Sequence, residues 1–196
     1  LTTLKRTSGQ AGTMRVVISI GGSVLAPDLG AGRVAEHAAA VDRLVAEGVA
    51  VGVVVGGGVV ARDYIAAARD LGADEVRLDR LGIGVTRLNA RLLISALGTV
   101  AAPTPPHDYE DAGEAMRRDD VPVMGGVTPG QTPDAVAAVL AEYVGADLLV
   151  FATSVDGVFD VDPGTDPDAE RYDALTPGEL VDVVAPMSRD AGAAAP

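Results

Sequence analysis

Apolar, β-branched residues come in short blocks along this chain, helix-like stretches separate them, and several blocks end on glycine. Val16-Val17-Ile18-Ser19-Ile20 runs into Gly21-Gly22-Ser23, and the block over 49–55 runs into Gly56-Gly57-Gly58. Blocks of this length without strict alternation read as strands buried on both faces, as in a parallel sheet. Between them, Val34, Ala38, Val41 and Val45 recur at helical spacing and predict a helix over 32–46. The alternation continues with helices over 60–71 and 86–97, the second with Leu88, Leu92 and Leu93 on one face. A Pro-rich loop (Pro103-Thr104-Pro105-Pro106), a short helix over 109–118 and a strand over 121–124 follow, the strand ending on Gly125-Gly126. A helix over 135–144 comes next, with Thr132 as its cap, Pro133 at its first position and Asp134 in its first turn. A last strand spans 147–152, and its exit over 153–163 is loop-like and rich in acids.

Strand and helix in alternation predict an α/β fold, a three-layer sandwich with a mainly parallel central sheet and helices on both faces. With no internal repeat and no clear linker, 14–196 is expected to form one domain and 1–13 a disordered extension. Those first residues lack the apolar centre of a secretory signal. Aromatic residues are only 3% of the chain and Trp is absent, so Val, Ala and Leu must fill the core. No run approaches the roughly 18 apolar residues of a membrane span. The absence of Cys excludes a disulfide framework, a thiolate metal site and a thiol nucleophile.

Twenty-eight acidic residues against fifteen basic ones give a formal charge of −13, which argues against nucleic acid or an anionic membrane as the partner. Lys5 is the only lysine. An acidic, Ala- and Val-rich, nearly lysine-free chain reads as a protein of a high-salt cytoplasm, although a GC-rich genome alone gives the same Arg and Ala bias. The lysine count also excludes a Walker-type phosphate loop, which needs G-x-x-x-x-G-K-[ST].

Glycine at the carboxyl end of a buried strand lets the backbone approach an anion and point N–H groups at it, and a helix starting next adds its positive end. Two such turns in one sheet suggest two phosphate-bearing ligands meeting end to end. Each turn alone reads equally well as a plain tight connection; repetition after three strands favours the ligand. A dinucleotide fingerprint is the alternative. Gly56-x-Gly58-x-x-Ala61 fits it, and Asp79 lies at about the right distance to hold a ribose. Against it, the motif follows the second strand rather than opening the fold, the acid does not end an apolar strand, and the other glycine turns stay unexplained.

Six segments come in a telling order: Ile20-Gly21-Gly22-Ser23-Val24, Val54-Val55-Gly56-Gly57-Gly58, Thr86-Arg87-Leu88-Asn89-Ala90, Pro122-Val123-Met124-Gly125-Gly126, Asp134-Ala135-Val136-Ala137-Ala138 and Thr153-Ser154-Val155-Asp156-Gly157-Val158-Phe159. This set, running from Met14 to the end of the chain, resembles the amino acid kinase superfamily, most closely its archaeal-type uridylate (UMP) kinase branch. The resemblance implies transfer of the γ-phosphoryl group of ATP to UMP, with nucleotide-bound Mg²⁺, no metal site of the protein's own, a cytoplasmic location, and hexamers built from dimers.

Residue by residue, the resemblance implies that Gly22 and Ser23 face the ATP phosphates and Gly57 the UMP phosphate, with Gly58 and Arg62 at the transferring group. Arg62 lies one helical turn past the glycines, although the same position suits a solvated helix residue. Asp79 is implied at the uridine ribose, against its plain reading as a surface loop acid. Val127, Thr128, Pro129, Gly130, Gln131, Thr132 and Pro133 are implied around the UMP phosphate and base. Asp134 is implied as the acid that organises the cations, a role compatible with serving the helix dipole. Thr153, Ser154, Phe159 and Asp162 are implied around adenosine, with Phe159 otherwise a core residue. His37 and His107 are expected to face solvent, because an anionic phosphate acceptor needs no strong base.

Several positions depart from the family pattern. Ser19 stands where many relatives carry a lysine, which leaves Arg62 and Mg²⁺ as the cations near the transferred group. Val127 and Pro133 replace hydroxyl residues, and Ser154 replaces an Asn. The family also continues past the position of Pro196 through one more helix and a closing strand. Isopentenyl phosphate kinase, in the same superfamily, carries a histidine shortly after the second glycine turn, where this chain has Val59-Val60-Ala61-Arg62. A non-catalytic nucleotide-binding relative is the other alternative.

The charge generates a prediction. At about 0.01 M salt the screening length of roughly 30 Å spans most of a domain this size, and at about 1 M it falls to roughly 3 Å. Repulsion among the carboxylates is then removed for all but touching charges. The melting temperature, followed by calorimetry, should therefore rise steadily from about 0.1 to 2 M KCl; a flat or falling series contradicts the high-salt reading and leaves genome composition as the cause of the Arg and Ala bias.

Overall fold

The fold is taken from a computed structural model, which describes residues 13–190. Apart from Thr13, the expected disordered extension lies outside the described residues. Four strands, β1 (Arg15–Ile20), β2 (Ala50–Val55), β3 (Val123–Met124) and β4 (Leu148–Ala152), form one sheet in the order β3-β2-β1-β4. Every neighbouring pair is parallel, with Ile20 level with Val55 on one side and with Ala152 on the other. The strand ends are therefore flush, and the turns leaving β1, β2 and β4 emerge side by side along one edge.

Seven helices are described: α1 (Gly22–Leu25), α2 (Ala31–Ala46), α3 (Gly58–Asp70), α4 (Glu75–Leu97), α5 (Tyr109–Arg117), α6 (Pro133–Val144) and α7 (Pro177–Asp190). On one face of the sheet, Val34, Ala38 and Val41 of α2 and Ala90, Leu93 and Leu97 of α4 pack on Ile20, Val51, Val53 and Val55. On the other, Ala112 of α5 and Val136, Ala137 and Leu140 of α6 cover Val17, Val54 and Met124. The side chains alternate between these faces along each strand, as the pleat requires, and the three layers expected from the sequence result. With such small side chains the helices must lie close: a Cβ on Gly52 would already touch Met116 Sδ and Leu140 Cδ2 at ordinary van der Waals distance. Among the described residues no helix is long and apolar enough to cross a membrane.

Two expectations for α4 are corrected. The helix begins at Glu75 rather than near Thr86, capped by Asp74, whose carboxylate accepts from Arg77 N at 2.9 Å. Its face is also rotated from the one expected: Leu93 is fully buried, while Leu88 and Leu92 are exposed, Leu88 at 63%. Thr86 and Asn89 turn inward instead. A short first helix, α1, also stands where only a turn was expected.

The described chain divides into two compact units, the first ending at Thr153 and the second beginning at Ser154. In the first, β4 is the edge of the described sheet, and its Leu148, Val150 and Phe151 are exposed. In the second, Phe159 and Arg171 form an antiparallel bridge, supported by Tyr172 N donating to Val158 O at 2.9 Å. Helix α7 opens on a reciprocal cap: Thr176 N and Oγ1 donate to Glu179 Oε2, each at 2.7 Å, and Glu179 N donates back to Thr176 Oγ1. The Thr176 backbone and side-chain bonds hold the Glu179 carboxyl below its ordinary pKa.

The orientation of α4 is testable by truncation. Leu93→Ala should cost about 2–5 kcal/mol of unfolding free energy, and Leu88→Ala should stay within about 0.5 kcal/mol of the parent. Denaturant unfolding at fixed high salt measures both; equal losses would mean that Leu88 and Leu93 share a buried face after all.

Candidate active site

The turns after β1 and β2 are locked together backbone to backbone. A Cβ on Gly22 would lie 2.2 Å from Gly58 N and 2.6 Å from Gly56 O, and one on Gly58 would lie 2.6 Å from Gly22 C. Gly58 also has φ +65°, a conformation that side chains disfavour. Glycine at 22 and 58 is therefore demanded by the facing turn, a constraint separate from room for an anion. Gly57 answers to its own helix, since a Cβ there would lie 2.3 Å from Ala61 Cβ. The ladders run on into the turns: Gly56 N donates to Ile20 O at 2.9 Å and Gly21 N to Ala152 O at 3.1 Å. Thr153 follows directly, on the β4 side of the same edge.

Charged and hydroxyl side chains gather around this lock. Arg62, on the second turn of α3, sends Nη2 to Ser23 Oγ at 3.3 Å, so its guanidinium bridges from α3 to α1. Ser19, 2% exposed on β1, donates from Oγ to Asp134 Oδ1 at 2.7 Å. A buried hydroxyl thus fixes the acid at the start of α6 from beneath, at the position where the family pattern has a lysine. Thr132 caps α6, accepting from Ala135 N at 3.2 Å, and Asp134 sits in the first helical turn.

Residues 127–132 lie in the connection from β3 to α6, which Pro133 opens. Val127 packs partly on the core, Pro133 is half-buried at the helix start, and Thr128, Pro129, Gly130, Gln131 and Thr132 are exposed. Gly130, with φ +84°, donates its N–H to Asp79 Oδ2 at 2.7 Å. Asp79 is thus a helix residue of α4 rather than a loop acid, and its carboxylate engages the segment's backbone. Gln131 Oε1 accepts from the Tyr109 hydroxyl at 3.3 Å, and burial pushes that hydroxyl's pKa up.

Helix α4 ties these parts together through residues that carried no assigned role in the sequence reading. Asn89, 4% exposed, donates from Nδ2 to Gly56 O at 2.8 Å and to Gly57 O at 3.3 Å. Thr86 Oγ1 accepts from Gly126 N at 2.7 Å while donating to Ile83 O. Arg87 Nε donates to Gly126 O, and its Nη2 to His107 O at 3.1 Å, with Nη1 2.9 Å from His107 Nδ1. The signal available in the sequence was a pair of polar residues, Thr86 and Asn89, at a spacing of three on an otherwise apolar helix face. His37 departs from its expected place: it is half-buried, with Nε2 3.2 Å from Val24 O.

The first unit therefore brings Gly22, Ser23, Gly57, Gly58 and Arg62 to one place, with Asp134 anchored to the strand that carries the first turn, and joins Asp79 to 127–133. Ser154, Phe159 and Asp162 belong to the second unit. There Ser154 is exposed, Phe159 is half-buried beside its bridge to Arg171, and Asp162 Oδ1 accepts from Gly164 N at 2.8 Å.

Residues 14–193 match the amino acid kinase family. A uridylate kinase of Haloquadratum walsbyi is 67% identical over 183 residues, 93% of this chain and 76% of that protein. One from Methanosarcina mazei is 52% identical over the same share of this chain and 78% of its own length. The crystal structure of uridylate kinase from Archaeoglobus fulgidus superposes with a TM-score of 0.82 at 47% identity, covering 88% of this chain and 78% of that one. With a family match over residues 14–193 and these identities over most of both chains, the chain belongs to the amino acid kinase family, in its uridylate kinase branch.

Proposed function

We propose that this protein transfers the γ-phosphoryl group of ATP to the phosphate of UMP, giving UDP and ADP. The observation that carries the reading is the lock between the turns after β1 and β2, in a chain 67% identical to a protein named uridylate kinase. Two phosphate sites built on turns in backbone contact hold donor and acceptor end to end, the arrangement in-line transfer needs. ATP phosphates lie at Gly22 and Ser23, the UMP phosphate at Gly57, and the transferring group at Gly58 and Arg62. The uridine end lies at Asp79 and residues 127–133.

A UMP phosphate oxygen attacks the γ-phosphorus, the bond from that phosphorus to the bridging oxygen breaks, and ADP leaves with the electron pair. The acceptor is already anionic, so the protein's work is alignment and charge neutralisation. Arg62 supplies a fixed positive charge where the two turns meet. The N–H groups of Gly57 and Gly58, at the start of α3, add partial positive charge on the acceptor side.

The kinase reading implies Mg²⁺ bound to the nucleotide. A nucleotide-bound cation of this kind would be held mainly by phosphate oxygens and water. Asp134, with one oxygen bonded to Ser19, would orient the cations around the transferred group. When bound, Mg²⁺ supplies neutralisation of charge on the phosphates. We also infer a cytoplasmic setting at high salt, supported by the acidic composition and by similarity to proteins from haloarchaea, and a homo-oligomeric state, supported by the family resemblance.

An ADP-release assay at high KCl over UMP, CMP, AMP and isopentenyl phosphate tests the reading. Turnover should be greatest with UMP. Preference for isopentenyl phosphate, or no turnover with any acceptor while ATP binds, would replace it with a prenyl phosphate kinase or a nucleotide-binding protein.

A further inference from the structure

We infer that Asn89 is a positioning residue for phosphoryl transfer, which aims the acceptor-side N–H groups by holding two successive carbonyls of the turn after β2. Its amide nitrogen reaches Gly56 O at 2.8 Å and Gly57 O at 3.3 Å. In a trans peptide the C=O and the next N–H point in opposite directions. Both carbonyls face α4, so the N–H groups of Gly57 and Gly58 face away from it. Among the described residues neither N–H donates to a protein acceptor. Gly58 N lies on the side of the first turn, where a Cβ on Gly22 would come within 2.2 Å of it. Two donors are thereby presented where the reading above places the acceptor phosphate and the transferring group beside it.

This turn needs such a clamp. Glycine peptides flip more readily than others because no Cβ restricts them, and three follow one another here. A flip of either peptide would turn a carbonyl toward the phosphate in place of an N–H. Asn89 opposes both flips from one side chain, and it does so from a buried place on the core face of α4. Burial strengthens the constraint: Gly56 is itself buried, and its carbonyl would lose a partner on flipping. Asn89 touches no ligand position directly, so its effect passes wholly through the turn.

The inference rests on the UMP kinase reading, and its test separates the two. Asn89→Leu keeps nearly the same side-chain shape and removes both donors; Asn89→Asp keeps the shape and sets an acceptor against two carbonyls. For each variant, melting temperature, ATP affinity, UMP affinity and uridine affinity are measured at high salt, uridine by competition with UMP. Because the turn serves the phosphate, UMP affinity should fall about ten-fold or more while uridine and ATP affinities move less than about two-fold. The KM for UMP should rise with it. A purely structural role would lower UMP and uridine affinity together, and that result overturns the inference, as does UMP affinity unchanged in both variants or loss of the fold in both. Failure of the parent protein to bind UMP would instead overturn the proposed function.

Discussion

The structure depends on one close approach, that of the glycine turns after β1 and β2. Parallel pairing with flush ends brings the two turns to the same edge of the sheet, and the absence of Cβ atoms at Gly22 and Gly58 lets their backbones meet. The proposed site is arranged from that contact. Arg62 spans it, joining α3 to Ser23; Ser19, on the strand that enters it, fixes Asp134; and Gly56 N, bonded to Ile20 O, carries the strand ladder into it. A sheet of branched aliphatic side chains covered on both faces supplies a rigid base, and the small residues of α2, α5 and α6 let the layers lie close.

Helix α4 is the second organising part. Its inner face combines core residues (Leu78, Val85, Ala90, Leu93, Leu97) with Thr86 and Asn89, so the helix that covers the sheet also holds the turns leaving β2 and β3. Farther toward its start, Asp79 binds Gly130 N. One helix thus bonds to the turn after β2, to the turn after β3 and to residues 127–133, the segment proposed to bind UMP. Buried polar groups are costly unless paired; among the described residues no buried side-chain polar atom lacks a partner.

The sequence made the strands, the glycine turns and most helices legible because branched apolar blocks and 3.6-residue spacing are local signals. The Thr132-Pro133-Asp134 start of α6 was readable for the same reason, and the structure has that cap. The first half of α4 was hidden: Gly82 and Gly84 interrupt the pattern, and Asp79 and Arg80 break its apolar run. Its face was misread because Leu88 and Leu92 look like core residues beside polar Thr86 and Asn89, whereas buried backbone groups of the turns draw the polar pair inward. Ser19 was legible only as a missing lysine. Its bond to Asp134 joins residues 115 apart in the chain, a partnership no local pattern encodes.

If the locked turns hold donor and acceptor phosphates end to end, one molecule should fill both sites. Calorimetry with adenosine and uridine joined through a chain of phosphates, at high KCl, measures this directly. Linking makes the second binding event intramolecular, with an effective concentration on the order of millimolar or more. The linked compound should therefore bind at least about a hundred-fold more tightly than ATP or UMP alone, with one molecule per chain excluding both nucleotides. Binding no tighter than the better single nucleotide, or exclusion of only one of them, would contradict adjoining phosphate sites.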